Sequence, residues 1–372
     1  MKIKMLCRWI GVVGASVLLA SASASQDVPA SRYAVLADSD GVSTLALREA
    51  IDPQFETGGE PAVGETRAVI VMRGGAVIAE RYAPGYGPHS RLLSWSIAKT
   101  VTGLLAGILV SDGRLALDDP APVPAWHQTG DPRGAITLGE LLHMRSGLQN
   151  REAWGASGRS DFVDMLVGEG ARDQAAFAAS KPLVHRPGES FAYSTSTSMI
   201  ISGIITDQIA GGSRDPRVRH EAMARFLKAR FSGPLGLTAF TPEYDESGTI
   251  NGGAIMHMTA RDYAKVGELI RLRGRANGHQ ILSDKWFDFM LAPSPAHSAY
   301  AGHIWLNRAG SEGALFPGQA SPDIVAAVGM RGQFVLVSPR QGLTIVRLGN
   351  TSDADMPALR EAMARLVRRF PG

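Results

Sequence analysis

Ser94-Trp95-Ser96-Ile97-Ala98-Lys99-Thr100 opens a stretch that stays apolar nearly all round to Val110, through Val101, Leu104, Leu105, Ala106, Ile108 and Leu109, until Asp112-Gly113 ends it. The pattern predicts a helix over residues 96–110, and a helix without a polar face is one buried between layers. Residues three apart share a helix face, so the Lys99 amine can reach the Ser96 hydroxyl. That pairing has chemical meaning. A serine hydroxyl is a poor nucleophile without a base beside it, and a lysine among apolar groups loses much of its preference for the charged form. Five lysines follow residue 24, so at ordinary serine usage the spacing alone arises too readily by chance to decide anything. Its setting decides. The motif starts a buried helix just after a strand hairpin and a Pro/Gly break, where a side chain would face a cleft.

The hairpin lies upstream. Ala68-Val69-Ile70-Val71-Met72 and Ala76-Val77-Ile78-Ala79 flank Arg73-Gly74-Gly75, a strand-turn-strand signal, and Pro84-Gly85-Tyr86-Gly87-Pro88 breaks the chain before Ser96. Before the hairpin, residues 44–51 read as a helix in otherwise mixed sequence. Downstream, 137–143 predict a helix capped by Thr137, with Glu140 completing a capping box. Residues 148–190 are irregular with short helical stretches, and 199–209 read as a second buried helix. A third spans 259–271, capped by Thr259 with Asp262 at N3. The chain returns to strands at 334–337 and 344–348, joined by Pro339-Arg340-Gln341-Gly342, and closes with a helix over 356–369.

Strands at both ends and helices between predict an α/β fold. One antiparallel sheet, shared by early and late strands and flanked by helices, would carry a mainly helical second lobe. The α/β lobe takes about residues 25–95 and 255–372 and the helical lobe about 96–254. The cleft between them is where a site is expected.

Composition narrows the class. Lys2, Lys4 and Arg8 precede an apolar run from Trp9 to Ala20, and Ala22-Ser23-Ala24 gives a small-x-small cleavage pattern. Residues 1–24 therefore read as a signal peptide, removed to leave a mature chain starting at Ser25 in the periplasm or outside the cell. The apolar run is too short for a stable membrane anchor. The only cysteine, Cys7, falls in that leader, so no disulfide, thiolate nucleophile or cysteine metal site is expected after it. The 38 basic and 35 acidic residues become 35 of each once the leader's three basic residues are gone, and a nucleic-acid partner would call for a basic excess. Neither a metal nor an organic cofactor is implied. His143 and His185 read as hydrogen-bonded structural residues, and neither H-E-x-x-H nor G-x-S-x-G occurs.

Two further segments bear on chemistry. Tyr193 follows Pro187-Gly188-Glu189-Ser190-Phe191-Ala192 and precedes Ser194-Thr195-Ser196-Thr197-Ser198, a run of hydroxyls that suits a loop lining a polar cavity. A phenol near a lysine ammonium can serve as a base, or the ring can simply pack. Ala327-Val328-Gly329-Met330-Arg331-Gly332-Gln333 leads into the late hairpin, and glycine there would let a substrate approach the strand edge closely. A backbone amide from that edge, with the Ser96 amide, could form an oxyanion hole. Trp154, in the irregular stretch, is a candidate lid or pocket aromatic, or equally a surface anchor.

Taken together, these segments resemble the serine β-lactamase and D,D-peptidase superfamily, whose S-x-x-K motif is well defined. They are most similar to the branch holding class C β-lactamases, family VIII carboxylesterases and 6-aminohexanoate-dimer hydrolases. Residues 68–86, the Ser94 to Thr100 segment and Ile136-Thr137-Leu138-Gly139-Glu140-Leu141-Leu142-His143-Met144-Arg145-Ser146-Gly147-Leu148 carry the resemblance. Residues 187–194 and Gly252-Gly253 through Met258-Thr259-Ala260-Arg261-Asp262-Tyr263-Ala264 complete it.

The resemblance implies a β-lactamase-like fold and a hydrolase acting on a small-molecule ester or amide. Ser96 would be the acylated nucleophile, Lys99 its activating partner and Tyr193 the tyrosine of a Y-x-N motif; either Lys99 or Tyr193 could take the proton. Ala327-Val328-Gly329 stands for the Lys-Thr-Gly strand, which makes the Met330 amide the second oxyanion donor. Gly329 and Thr195 join Trp154 as substrate-pocket candidates. In two places the chain departs from the pattern: Thr195 replaces the asparagine of Y-x-N, and Ala327 replaces the lysine that helps hold a substrate carboxylate. Both favour the esterase and amide-oligomer branch over a β-lactamase or D,D-peptidase. The intact Ser96, Lys99 and Tyr193 argue against an inactive binding protein on the same scaffold.

Overall fold

Alternation along Glu65–Arg73 sends Ala68, Ile70 and Met72 to one side and Val69 and Val71 to the other, each into a different apolar core. A strand buried on both faces must sit inside a sheet covered twice. The computed structural model, which describes residues 32–56, 62–152, 160–309 and 315–371, shows that arrangement. The expected leader 1–24 and Trp154 lie outside the described residues.

The sheet has seven strands: β1 (Arg32–Leu36), β2 (Glu65–Arg73), β3 (Ala76–Tyr82), β4 (Trp305–Leu306), β5 (Val325–Gly329), β6 (Gln333–Ser338) and β7 (Leu343–Asn350). Their order is β1-β3-β2-β7-β6-β5-β4, antiparallel throughout. Early and late strands meet where β2 pairs β7, with Ile70 opposite Val346 and Val71 opposite Ile345. These β-branched pairs hold the two ends of the chain in one register.

Among the helices are α1 (Thr44–Ile51), α2 (Ile97–Ser111), α3 (Leu138–Leu142), α4 (Thr195–Ile209), α5 (Ala260–Arg271) and α6 (Met356–Arg368). Leu47 and Ile51 of α1 and Leu359, Met363 and Leu366 of α6 cover one face of the sheet. Tyr263, Val266 and Ile270 of α5 and the apolar residues of α2 cover the other. Each such side chain, fully buried, contributes roughly 1.5–3 kcal/mol. Beyond α2 lie α3, α4 and shorter helices at Asp161–Val167, Gln174–Ala179 and Pro216–Leu227. Leu92–Leu93, Thr241–Pro242 and Met256–Met258 form a small separate sheet that carries the chain into Ser94.

The fold class is the one the strand-helix-strand pattern predicts. Thr137 caps α3 in a complete capping box, and the Thr259 hydroxyl accepts from the Asp262 amide at 3.1 Å. Several elements differ from the sequence expectation, among them the unplaced Asp284–Met290 helix. β1 lies in a stretch read as mixed, Pro216–Leu227 is a helix that no expectation placed, and α4 starts at Thr195 rather than residue 199.

Candidate active site

Ser96 sits at the N-terminus of α2, and the residue before it is bent to present it. Trp95 has φ 45°, a left-handed conformation that bulky residues rarely adopt. Ser94 anchors the bend: its amide donates to the Met256 carbonyl at 2.8 Å and its hydroxyl accepts from the Met256 amide at 3.0 Å. The strain at Trp95 is held between this anchor and the first turn of α2. Gly329 lets β5 come in beside it. A Cβ there would lie 2.5 Å from the Ser94 carbonyl oxygen and 3.1 Å from the Trp95 Cβ.

Lys99 lies one turn along the same face, buried at 1 % exposure. Its Nζ is 3.0 Å from Ser96 Oγ, 2.8 Å from Thr195 Oγ1 and 2.7 Å from the Gly253 carbonyl oxygen. That carbonyl comes so close because Gly252 and Gly253 lie in the seam between α2 and α4. A Cβ on Gly253 would stand 2.7 Å from Thr195 Cγ2. The three partners have different polarity. Gly253 O can only accept. Thr195 Oγ1 gives its proton to the Glu152 carboxylate, so it too accepts from Lys99. Two N–H groups of Lys99 are thereby assigned, and the third direction of the nitrogen points at Ser96 Oγ. A neutral amine in this frame presents its lone pair to the serine hydroxyl, and an ammonium presents a proton there. The handover between Ser96 and Lys99 therefore needs no rearrangement. Burial pushes the Lys99 amine down to about 8, with Glu152 opposing.

Tyr193 closes the site from the loop before α4. The Ser96 side chain lies near enough to its phenol to favour ionisation slightly, and Lys99 Nζ lies 4.9 Å from its ring centroid. Tyr300 and Trp305 pack on the ring with centroids 5.8 and 5.4 Å away. Burial pushes its phenol up, only partly offset by the nearby Ser96. The segment around α3 is what fixes this loop. Ala192 N donates to Met144 O, Gly188 N to Arg145 O, and Asn150 Nδ2 to Tyr193 O, all at 2.8 Å.

Met330 follows Gly329 and is half exposed. Neither its amide nor that of Ser96 has an acceptor among the described residues. Gln333, at 3 % exposure, grips the turn: its Nε2 donates to the carbonyls of Met330, Arg331 and Gly349, and its Oε1 accepts from Gly349 N. β4 pairs β5 only at Val325 and Ala326. The outer edge of Ala327–Gly329 thus has no strand beside it among the described residues and can take an extended substrate chain.

Two of the pocket expectations need correction. Thr195 is 1 % exposed and its hydroxyl is used twice inside the protein, so it backs Lys99 rather than lining a substrate pocket. Gly329 is buried against Ser94 and Trp95 and acts as a spacer, not a wall. Ala327 is fully buried opposite Val335 and brings no cation to the cleft. His143 stacks on Phe289 at 4.5 Å, and burial holds its ring down at about 4, which fits a structural role. Glu152 and Gln333 were not singled out by sequence. Glu152 falls in the irregular stretch after Leu148 and Gln333 at a strand entry, and neither position carries a spacing signal. Among the described residues, no group of three His, Cys, Asp or Glu side chains converges as a metal site would require.

Residues 48–368 match the β-lactamase family profile. The chain is 25% identical over 325 residues to a 6-aminohexanoate-dimer hydrolase of Paenarthrobacter ureafaciens, a match covering 78% of this chain and 74% of that protein. Among solved structures it is similar to a family VIII carboxylesterase, with TM-score 0.65 and 14% identity, covering 90% of this chain and 100% of the other. It is also similar to a penicillin-binding protein homologue of Caulobacter crescentus, with TM-score 0.64 and 17% identity, covering 89% of this chain and 99% of the other.

Proposed function

The chain belongs to the β-lactamase family of serine hydrolases, and from that premise we propose that it cleaves uncharged esters or linear amides through an acyl-enzyme on Ser96. The observation that carries this reading is the Lys99 amine, fixed by Thr195 and Gly253 so that its remaining direction meets Ser96 Oγ at 3.0 Å. Ser96 Oγ attacks the carbonyl carbon while its proton passes to Lys99. The oxyanion is held by the Ser96 and Met330 amides. As the acyl C–O or C–N bond breaks, the proton moves to the leaving group by way of Tyr193, whose phenol is held protonated beside Ser96. Water then attacks the acyl carbonyl, giving a proton to the Lys99/Tyr193 pair. That proton returns to Ser96 Oγ as the acid leaves.

The substrate class follows from Ala327. A buried alanine replaces a cation that would bind a drug or peptide carboxylate, and losing one charge-assisted hydrogen bond costs about 1.5–3 kcal/mol, roughly ten- to a hundredfold in kcat/KM. Chemistry at the carbonyl depends on none of that. p-Nitrophenyl butyrate, which has no carboxylate, should be turned over with higher kcat/KM than nitrocefin. So should a 6-aminohexanoate dimer, the substrate in the relative's name, whose carboxylate lies at the far end of a flexible leaving group rather than next to the acyl carbonyl. Comparing the three on one preparation is the check. A hundredfold lead for nitrocefin would replace this reading with a β-lactamase, and the exposed Arg331 beside Met330 would be the cation to test next.

We also propose export, on the basic, apolar and small-residue order of residues 1–24. Protein recovered from a periplasmic extract should have the intact mass of a chain starting at Ser25. A full-length mass confined to the cytosol would overturn it.

A further inference from the structure

One carboxylate in the site has no part in the steps above. Glu152 accepts from the Thr195 hydroxyl through Oε1 and from the Thr195 amide, 2.7 Å away, through Oε2. Thr195 is the first residue of α4, where a carboxylate is favoured by the free N–H groups of the helix start. The placement is built rather than incidental. Ser160 Oγ donates to the Glu152 carbonyl at 2.9 Å, and Asp161 takes the Arg151 amide at 2.8 Å together with the Arg151 and Lys181 side chains. Asn150 ties the same stretch to the Tyr193 carbonyl. The carboxylate, the Thr195 hydroxyl, the Lys99 amine and the Ser96 hydroxyl thus form one continuous line of hydrogen bonds.

We propose that Glu152 is a positioning residue that acts through the Thr195 hydroxyl to orient the Lys99 amine and set the pH at which it can take the Ser96 proton. The proposal rests on Ser96 being the acylated residue. The departure from the family pattern at Thr195 fits it. One hydroxyl oxygen accepts from Lys99 and gives its own proton to Glu152, which fixes the direction of every donor in the line. The other titratable groups near Lys99 are not acidic. Tyr193 and Tyr300 are held protonated by burial, and burial keeps the His303 ring neutral, down at about 3. Glu152 is the negative charge that opposes desolvation of the Lys99 ammonium. Removing it should let Lys99 lose its proton at lower pH, leaving a weaker base.

The test is the pH dependence of fluorophosphonate labelling in wild type, E152Q, T195V and T195S, with the labelled peptide identified by mass. Wild type should label on Ser96 with a rate that rises through a limb near 8. In E152Q the amide would donate to Thr195 and reverse the line. Its limb should move about one pH unit lower and its plateau should fall about tenfold. T195V should move the same way, and T195S should restore the wild-type limb. Rates are taken on the fraction that labels, so misfolded protein does not enter. Wild-type labelling at a residue other than Ser96 would remove the premise and the proposal with it. Labelling on Ser96 with an unmoved limb in E152Q, whatever the loss of rate, would overturn the proposal and leave the acyl-enzyme reading standing.

Discussion

Ser96→Ala should lower kcat by about ten-thousand- to a million-fold, the loss seen when a nucleophile acting within a catalytic unit is removed. The residual rate would come from the amides of residues 96 and 330 and from substrate binding alone. Stability should change by no more than about 0.5 kcal/mol, because the hydroxyl is partly exposed and tops no packed layer. Lys99 would keep Thr195 and Gly253 as partners. Kinetics and a thermal melt on the same preparation separate the two effects. A variant that melts like wild type and keeps a tenth of the activity would show that another residue is the nucleophile.

The second large effect belongs to the proton-transfer pair. Lys99→Ala should cost about a hundred- to ten-thousandfold in kcat/KM, the usual worth of a positioned general base, and Tyr193→Phe a comparable factor. The double variant should be little worse than the poorer single, because groups serving one transfer are strongly non-additive. The three-way fixing of the lysine nitrogen is the physical reason. Once Lys99 is gone, Tyr193 has no base beyond it through which the Ser96 proton can pass. Losses that multiplied in full would show that the two act in separate steps. Tyr193→Phe keeps the ring that packs on Tyr300 and Trp305, so its effect should be read without a large change in melting.

How much of this was legible in the sequence depended on what each element signals. The α2 helix and its Ser96/Lys99 pair stood out because a helix apolar on nearly every face is stable only between layers. The starts of α3 and α5 were visible because a capping side chain is a local device. The start of α4 was read late for the opposite reason. Thr195, Ser196, Thr197 and Ser198 are buried, but hydroxyls carry no apolar period, so the visible signal began only at Met199. β1 is five residues long and is fixed by pairing with β3 across more than forty residues of chain, which no local pattern reveals. The Pro216–Leu227 helix buries a narrow stripe, Ala222, Met223, Phe226 and Leu227, within an otherwise charged segment.

The site divides along the same line. Ser96, Lys99 and Tyr193 belong to motifs with spacing, and the fold brings them together, with Lys99 hydrogen-bonded to Ser96 and set over the Tyr193 ring. Thr195 was visible as a departure from a motif, yet its burial behind Lys99 depends on how α2, α4 and the Gly252-Gly253 loop meet. Glu152's carboxylate is distant in sequence from the partner it holds, 43 residues from Thr195. Gln333 does its work through three carbonyls, which leave no trace in side-chain chemistry.

The central claim is a covalent intermediate on Ser96, and the direct measurement is the mass of the protein and its peptides after reaction with a fluorophosphonate. One equivalent of added mass is expected, located on the peptide that contains Ser96 and absent from Ser96→Ala. Label carried by any other residue, or an enzyme that turns over esters yet takes no label, would contradict it.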